Sequence, residues 1–245
     1  MSERLRVLFF GMPCAFSYAP LAELLASPFA VAAVVVPGPV GRWPGATDAP
    51  RSASAGSLGA LRLGPSGPHP GLRVLPPPDL PLLAAGQERA LVNQAWAQRI
   101  PVLHVADLAA PAAVAALSDY RPDVIAVACF PRRLPPAVLA LPRLGALNVH
   151  PSLLPAGRGP APLFWAFRLG ERRTGVTVHL MTDELDAGDI LLQEALEVPE
   201  GIAGLDLEEH CAELGGRLLV AAIGALAGGT AARRPKDPAA ASYHP

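Results

Sequence analysis

The chain has 245 residues, 51% of them hydrophobic and 17% charged, with a formal net charge of −1. That length can bury a sizeable core as one large domain, and the near-zero charge gives no global attraction to nucleic acid or an anionic membrane. Three cysteines, Cys14, Cys129 and Cys211, stand far apart in no ligand spacing, which argues against a disulfide framework or a zinc site.

From the N-terminus, Arg4 and Arg6 precede a short apolar run, Val7 to Phe10. The run is too short for a signal peptide and is soon interrupted by Pro13, so it reads as a first buried strand. The turn Gly11-Met12-Pro13-Cys14 lacks G-x-G-x-x-G, which leaves a dinucleotide cofactor unsupported. A helical pattern covers Pro20 to Ala26, and a second continuous apolar strand covers Val31 to Val36. The stretch from Pro37 to Gly86 is rich in Pro, Gly, Ser and Ala and has almost no helical or strand periodicity. A structureless stretch of that length is uncommon inside a compact domain, and its composition predicts a disordered insertion in preference to a mobile functional loop. Helical character returns at Arg89 to Arg99 and Ala109 to Asp119, with strands at Val124 to Ala128 and Ala146 to Val149. Val176 to Met181 is strand-like, and Leu205 to Leu226 is helical and closes the domain. No apolar stretch reaches the roughly 18 residues of a membrane span, and composition and charge fit a cytoplasmic enzyme. Arg outnumbers Lys nineteen to one, a bias we attribute to genomic base composition.

Continuous apolar strands separated by helices predict a mostly parallel sheet covered on both faces, a doubly wound α/β fold. Residues 1–229 form the expected domain, with 230–245 as a short C-terminal tail. In such folds ligands sit at the carboxyl ends of the strands, where Asn148 and His150 fall. These two stand two apart in one strand, so their side chains share a face and open to one pocket. An Asn amide donates to a developing oxyanion, and imidazole takes or gives a proton near neutral pH. A carboxylate to orient the imidazole is on offer in the loop after Val176 to Met181, from Asp183, Glu184, Asp186 or Asp189, with Gly188 easing a tight path.

Each feature alone has a plainer reading. Asn-x-His is commonly a turn-forming Asn beside a surface His, and acidic loops are usually solvated. His179 reads as a half-buried strand residue hydrogen-bonded to a neighbour. Ser152 lacks the G-x-S-x-G elbow of an acyl nucleophile. The order and spacing of the set carry the weight: Asn148-Val-His150-Pro-Ser-Leu-Leu-Pro155, Arg158-Gly-Pro-Ala-Pro162, Thr174-Gly-Val-Thr-Val-His179 and Asp183-Glu-Leu-Asp186-Ala-Gly-Asp189.

With these motifs the sequence resembles the 10-formyltetrahydrofolate-dependent formyltransferases, whose members act on methionyl-tRNA, glycinamide ribonucleotide or nucleotide-sugar amines. The likeness runs from about Arg4 to Gly229 apart from the low-complexity stretch, and implies the Rossmann-like formyltransferase fold. It also implies a catalytic set of Asn148, His150 and Asp186, with 10-formyltetrahydrofolate as donor and no metal. Folate contacts map onto Phe130, Arg132 and Leu134 and onto Ser152, Leu153, Leu154 and Pro155. Pro131 and Arg133 replace residues expected to be apolar or small. Acceptor contacts map onto Gly11, Met12, Pro13 and Arg42, although the lysines of the tRNA-acting members' acceptor loop are missing.

The tail Arg233-Arg-Pro-Lys-Asp-Pro resembles the family's linker without the basic β-barrel of the tRNA-acting members. A small amine therefore competes with methionyl-tRNA as acceptor. Alternatives are a formyltetrahydrofolate hydrolase using the same site, an idle folate- or nucleotide-binding module, and, least favoured, a metal hydrolase built on His150, His179 and Asp186, whose spacing is not that of a recognised zinc site.

Overall fold

Val7, Leu8, Phe9 and Phe10 are fully buried, as befits a strand covered on both faces. In the computed structural model, which describes residues 4–38, 72–75 and 91–245, they belong to β1 (Arg6–Gly11). There follow α1 (Ala15–Ala26), β2 (Ala30–Pro37), β3 (Leu72–Leu75), α2 (Leu91–Ala97), β4 (Val102–Val105), α3 (Pro111–Ser118), β5 (Val124–Ala128) and α4 (Pro136–Leu139). The second half holds β6 (Ala146–His150), α5 (Pro162–Arg168), β7 (Arg173–Leu180), β8 (Ile190–Glu197) and α6 (Gly204–Ala227). All eight strands form one sheet in the order β3-β4-β2-β1-β5-β6-β7-β8. From β4 to β6 neighbours are parallel, while β3, β7 and β8 add antiparallel ends. The doubly wound, mostly parallel architecture is the one expected from the sequence.

Alternation across the pleat divides the core into two layers. Val7 and Phe9 pack in the layer that holds α1, α2 and α6, while Leu8 and Phe10 pack in the layer with α3 and α4. Each such side chain contributes roughly 1.5–3 kcal/mol through burial, so the central strands supply the rigid platform.

At four places the structure departs from, or adds to, what the sequence predicts. First, α1 begins at Ala15 and not at Pro20, which lies inside the helix and deprives the Phe16 carbonyl of its helical donor. The interruption falls where α1 meets α6: a Cβ on Gly216 would lie 3.1 Å from Pro20 Cα. Second, the stretch from Pro37 to Gly86 is not free of regular structure. Leu72–Leu75 forms an edge strand antiparallel to β4, with Leu72 buried. Its four residues, with Arg73 and Val74 turned outward, are too few to show a period, and the ladder comes from β4. Residues 39–71 and 76–86 of that stretch lie outside the described residues. Third, the short β4 and the half-exposed β8 carry too little apolar pattern to be read as strands from sequence. Fourth, α6 is long and apolar enough to cross a membrane by length and composition. Its buried residues, among them Leu207, Cys211, Leu214, Leu219 and Ile223, instead pack in the core against α1 and β7.

Gly215 and Gly216 let α6 approach closely on both sides. A Cβ on Gly215 would stand 2.5 Å from Val149 Cγ1, so the helix lies directly against the residue between Asn148 and His150. The core thereby fixes the strand that carries both polar side chains.

Candidate active site

β6 ends at His150, and its antiparallel partner β7 brings His179 opposite Asn148 and Thr177 opposite His150. Asn148, His150 and His179 line one cavity of about 620 Å³, a volume suited to a small organic ligand. The two-residue spacing of Asn148 and His150 thus does place both on one cavity.

The loop after β7 folds back to deliver Asp186, which lines the same cavity. Its backbone is left-handed, with φ at 52°, a conformation Asp tolerates better than most side chains. One carboxylate oxygen, Oδ1, lies 3.8 Å from His150 Nδ1 and 3.6 Å from His179 Nε2. The other, Oδ2, accepts a hydrogen bond of 3.2 Å from the Gly159 N–H. Of the four acidic candidates, Asp186 is the one that reaches the imidazoles. Glu184 pairs with Arg158 at 3.3 Å, Asp183 offers its carbonyl to Arg133, and the Asp189 carbonyl accepts from Leu180 N.

Hydrogen bonds to carbonyls fix the ring tautomers, because a carbonyl can only accept. His150 Nε2–H donates to Gly157 O at 2.9 Å, and His179 Nδ1–H donates to Leu180 O at 2.8 Å. In the neutral rings the lone pairs therefore sit on His150 Nδ1 and His179 Nε2, the two nitrogens that face Asp186. Asn148 Nδ2 donates to His179 Nε2 at 3.4 Å, which uses one of its two hydrogens.

Burial lowers both imidazoles from their ordinary value, with Asp186 opposing the shift in each case. Burial alone would raise the Asp186 carboxyl, but at the acid pH where it titrates the protonated His179 and His150 rings face it and, with the Gly159 N–H, hold it at about 2. The arrangement is a carboxylate flanked by two neutral bases. A proton arriving on either ring becomes an imidazolium beside Asp186.

The other residues singled out by sequence divide. Phe130, Arg132 and Leu134 line the cavity, and Phe130 packs edge-on against Phe10 at 5.4 Å between ring centroids. Arg132 spends its guanidinium on the carbonyls of Val105 (3.0 Å), Ala106 (2.7 Å) and Gly38, tying the loop to the ends of β2 and β4. The structure does not bring Ser152, Leu153, Leu154 or Pro155 to the cavity wall, which holds Pro151 instead. Ser152 Oγ donates to Ala156 O, and Leu154 N donates to Thr177 Oγ1, so this turn supports the strand ends from behind. Of the first turn, Met12 lines the cavity and Gly11 and Pro13 do not. Arg42 lies outside the described residues.

The sequence read His179 as a strand residue or, least favoured, a metal ligand, and its place beside Asn148 follows from the β6/β7 register. Two further contributors were not read from the sequence. Tyr243 lines the cavity from the C-terminal tail, and Lys236 Nζ donates to the Asp186 carbonyl at 2.7 Å. A signal for Lys236 does exist, since it is the chain's sole lysine.

Residues 82–223 match the profile of a protein family described as Formyl transferase. Methionyl-tRNA formyltransferase from Syntrophus aciditrophicus is 41% identical over 183 residues, covering 72% of this chain and 57% of that protein. The one from Synechococcus sp. is 42% identical over 176 residues, covering 71% of this chain and 51% of its own length. The chain thus spans little more than half of these relatives. Among solved structures, glycinamide ribonucleotide transformylase 1 from Symbiobacterium toebii shares the fold, with a TM-score of 0.64 at 23% identity over 97% of this chain and 96% of that one.

Proposed function

The chain belongs to the formyl transferase family, and on that basis we propose that it transfers the formyl group of 10-formyltetrahydrofolate to a primary amine by direct attack. The observation that carries the reading is the convergence of Asn148, His150, His179 and Asp186 on one cavity. Phe130, Leu134 and Met181 give that cavity an apolar wall suited to a flat ring. The folate supplies a formyl carbon held on nitrogen and open to nucleophiles.

The second hydrogen of Asn148 Nδ2 is directed to the oxygen that gains charge as the amine adds, a contact whose removal typically costs about 10²–10³ in rate. Nδ1 of His150, or Nε2 of His179, takes the proton that the attacking amine must lose, and the imidazolium is stabilised by Asp186. That proton then passes to the departing folate nitrogen, directly or through water. A new amide C–N bond forms, the old formyl C–N bond breaks, and no covalent link to the protein is required.

For the acceptor we favour a small amine, such as a nucleotide-sugar or ribonucleotide amine. Among the described residues two arginines line the cavity, Arg132 and Arg133, and both are engaged by backbone carbonyls, while Arg158 next to Gly159 pairs with Glu184. Few cations are left there to meet a polyphosphate backbone. Methionyl-tRNA is the second reading, favoured by the names of the sequence relatives.

Mass spectrometry of products from 10-formyltetrahydrofolate with a panel of amines, methionyl-tRNA and water alone tests the proposal. Formylated small amine is the expected product, with weak and strongly salt-sensitive activity on methionyl-tRNA. Formate release without any formylated acceptor would mark the chain as a hydrolase. Tight tRNA binding that persists at physiological salt would reverse the order of acceptors.

A further inference from the structure

The tail beyond α6 is bound into the site at several points. Arg234 and Ile190 exchange two backbone hydrogen bonds of 2.9 Å, zipping the tail onto β8. Farther along, Ser242 Oγ accepts from Gly157 N at 2.8 Å, Ser242 O accepts from Arg158 N at 2.9 Å, and His244 N donates to Arg158 O at 3.0 Å. The His244 ring stacks on Trp165 with centroids 5.0 Å apart. Gly159 has a φ of 120°, and a Cβ there would collide with the His244 carbonyl. The tail therefore grips residues 157–159, whose carbonyl at Gly157 holds His150 and whose N–H at Gly159 holds Asp186.

Lys236 lies between these anchors and is buried, 9% exposed. Its ammonium reaches the carbonyl of Asp186, the residue held in a left-handed conformation. In a chain with nineteen arginines and one lysine, the lysine occupies the place where a compact point donor is needed and a planar guanidinium fork would be hard to seat.

We propose that the tail from Arg233 to Pro245 is a wall of the active site, and that Lys236 is a positioning residue that aims Asp186 at His150 and His179. The inference deepens the formyl-transfer reading and rests on it for its kinetic part. Lys236 faces Asp186, Asp189 and Arg158, while the imidazoles face Asp186, Lys236 and each other. Its cation lowers both His150 and His179, adding to the effect of burial, so that the rings are neutral and ready to accept a proton. Burial brings Lys236 itself down to about 8, against the pull of Asp186.

The test compares Lys236→Met and Lys236→Arg in the full chain, using NMR titration of the imidazole C2 protons together with kcat and KM for formyl transfer. In Lys236→Met both buried imidazoles are expected to titrate at higher pH than in the wild type. Its kcat should fall by about ten- to a hundredfold at a nearly unchanged donor KM, the scale on which displaced reacting groups lose rate. Lys236→Arg keeps a cation and should hold the imidazole titrations closer to wild type than Lys236→Met does, while its poorly seated guanidinium still lowers kcat. Wild-type imidazole titration in a folded Lys236→Met protein would overturn the proposal, as would a loss confined to melting temperature. Should Lys236→Met fail to fold, Ser242→Ala loosens the same grip on Gly157 and is expected to lower kcat; unchanged kcat there would count against the tail as a wall. The NMR arm needs no acceptor, so it separates failure of this inference from failure of the formyl-transfer reading.

Discussion

The parallel centre of the sheet and its antiparallel arm solve different problems. In β1 and β5 nearly every residue is apolar and buried, and the polar groups that need partners are backbone groups already paired in the ladder. In the arm from β6 to β8, with its loops and the tail, the burial is polar. Among the described residues, eight polar or charged side chains are buried, and seven of them, His150, Ser152, Thr174, Thr177, His179, Asp186 and Lys236, lie in this arm. Burying such groups costs free energy unless each finds a partner, so the arm is held by directional bonds where the centre is held by area. Stability and chemistry are thereby assigned to the centre and to one end of a single sheet, joined where α6 presses Gly215 onto Val149.

If that division is right, variants in the two regions should fail in different ways. The largest effect on stability is expected from Phe9→Ala, at about 3–5 kcal/mol, against about 2 kcal/mol for Leu72→Ala at the edge strand. Urea unfolding would check both, and an edge loss equal to the central one would break the ranking. Gly215→Ala acts on the joint. It should cost about 1–3 kcal/mol through overpacking against Val149, and should lower turnover as well, because Val149 sits between Asn148 and His150. Full activity in a destabilised Gly215→Ala protein would show that the strand is not so tightly fixed.

The arm should also respond to acid. Folded His150 and His179 are lowered from 6.5, so just below that pH the unfolded chain binds protons that the folded one refuses. Stability is then expected to fall as pH drops below about 6.5. Asp186, lowered from 3.8 to about 2, gives a contribution that is present above 3.8 and lost as pH falls toward 2. Measuring unfolding free energy from pH 8 downward, with a His150→Gln/His179→Gln double variant as reference, separates the two windows. A wild type and a double variant with equal slopes between pH 7 and 5 would contradict the assignment. The smallest expected effect concerns thiols. The neighbouring Cys129 and Ser17 side chains favour the Cys14 thiolate and, against burial, lower its pKa, whereas burial pushes Cys211 up to about 12. Iodoacetamide at neutral pH should label Cys14 well before Cys211, and equal labelling rates would remove the thiol contact from the account.

The sequence was readable in proportion to how local its signals are. Continuous apolar runs such as Val7 to Phe10 declare a buried parallel strand without help from the rest of the chain. Asn148 and His150 are legible because two residues of one strand share a face. The features that were not legible depend on distant partners. His179 gains its role from the register of β6 against β7. The strand at Leu72–Leu75 exists because β4 offers it an edge. Lys236 meets Asp186 across fifty residues of chain. Ser152 to Pro155 carry the family motif, yet their polar groups turn inward to Ala156 and Thr177. Pattern places a residue on an element, but it cannot say which groups a returning loop or tail will meet.

The central claim is that Asn148 and His150 act on the transferred group itself, and a single-turnover comparison tests it most directly. Wild type, Asn148→Ala and His150→Ala would be mixed with 10-formyltetrahydrofolate and the best acceptor found, with folate affinity and melting temperature measured on the same samples. The account predicts that each variant folds and binds folate, yet loses formyl transfer by about two or more orders of magnitude. Near-normal turnover in either variant would contradict it.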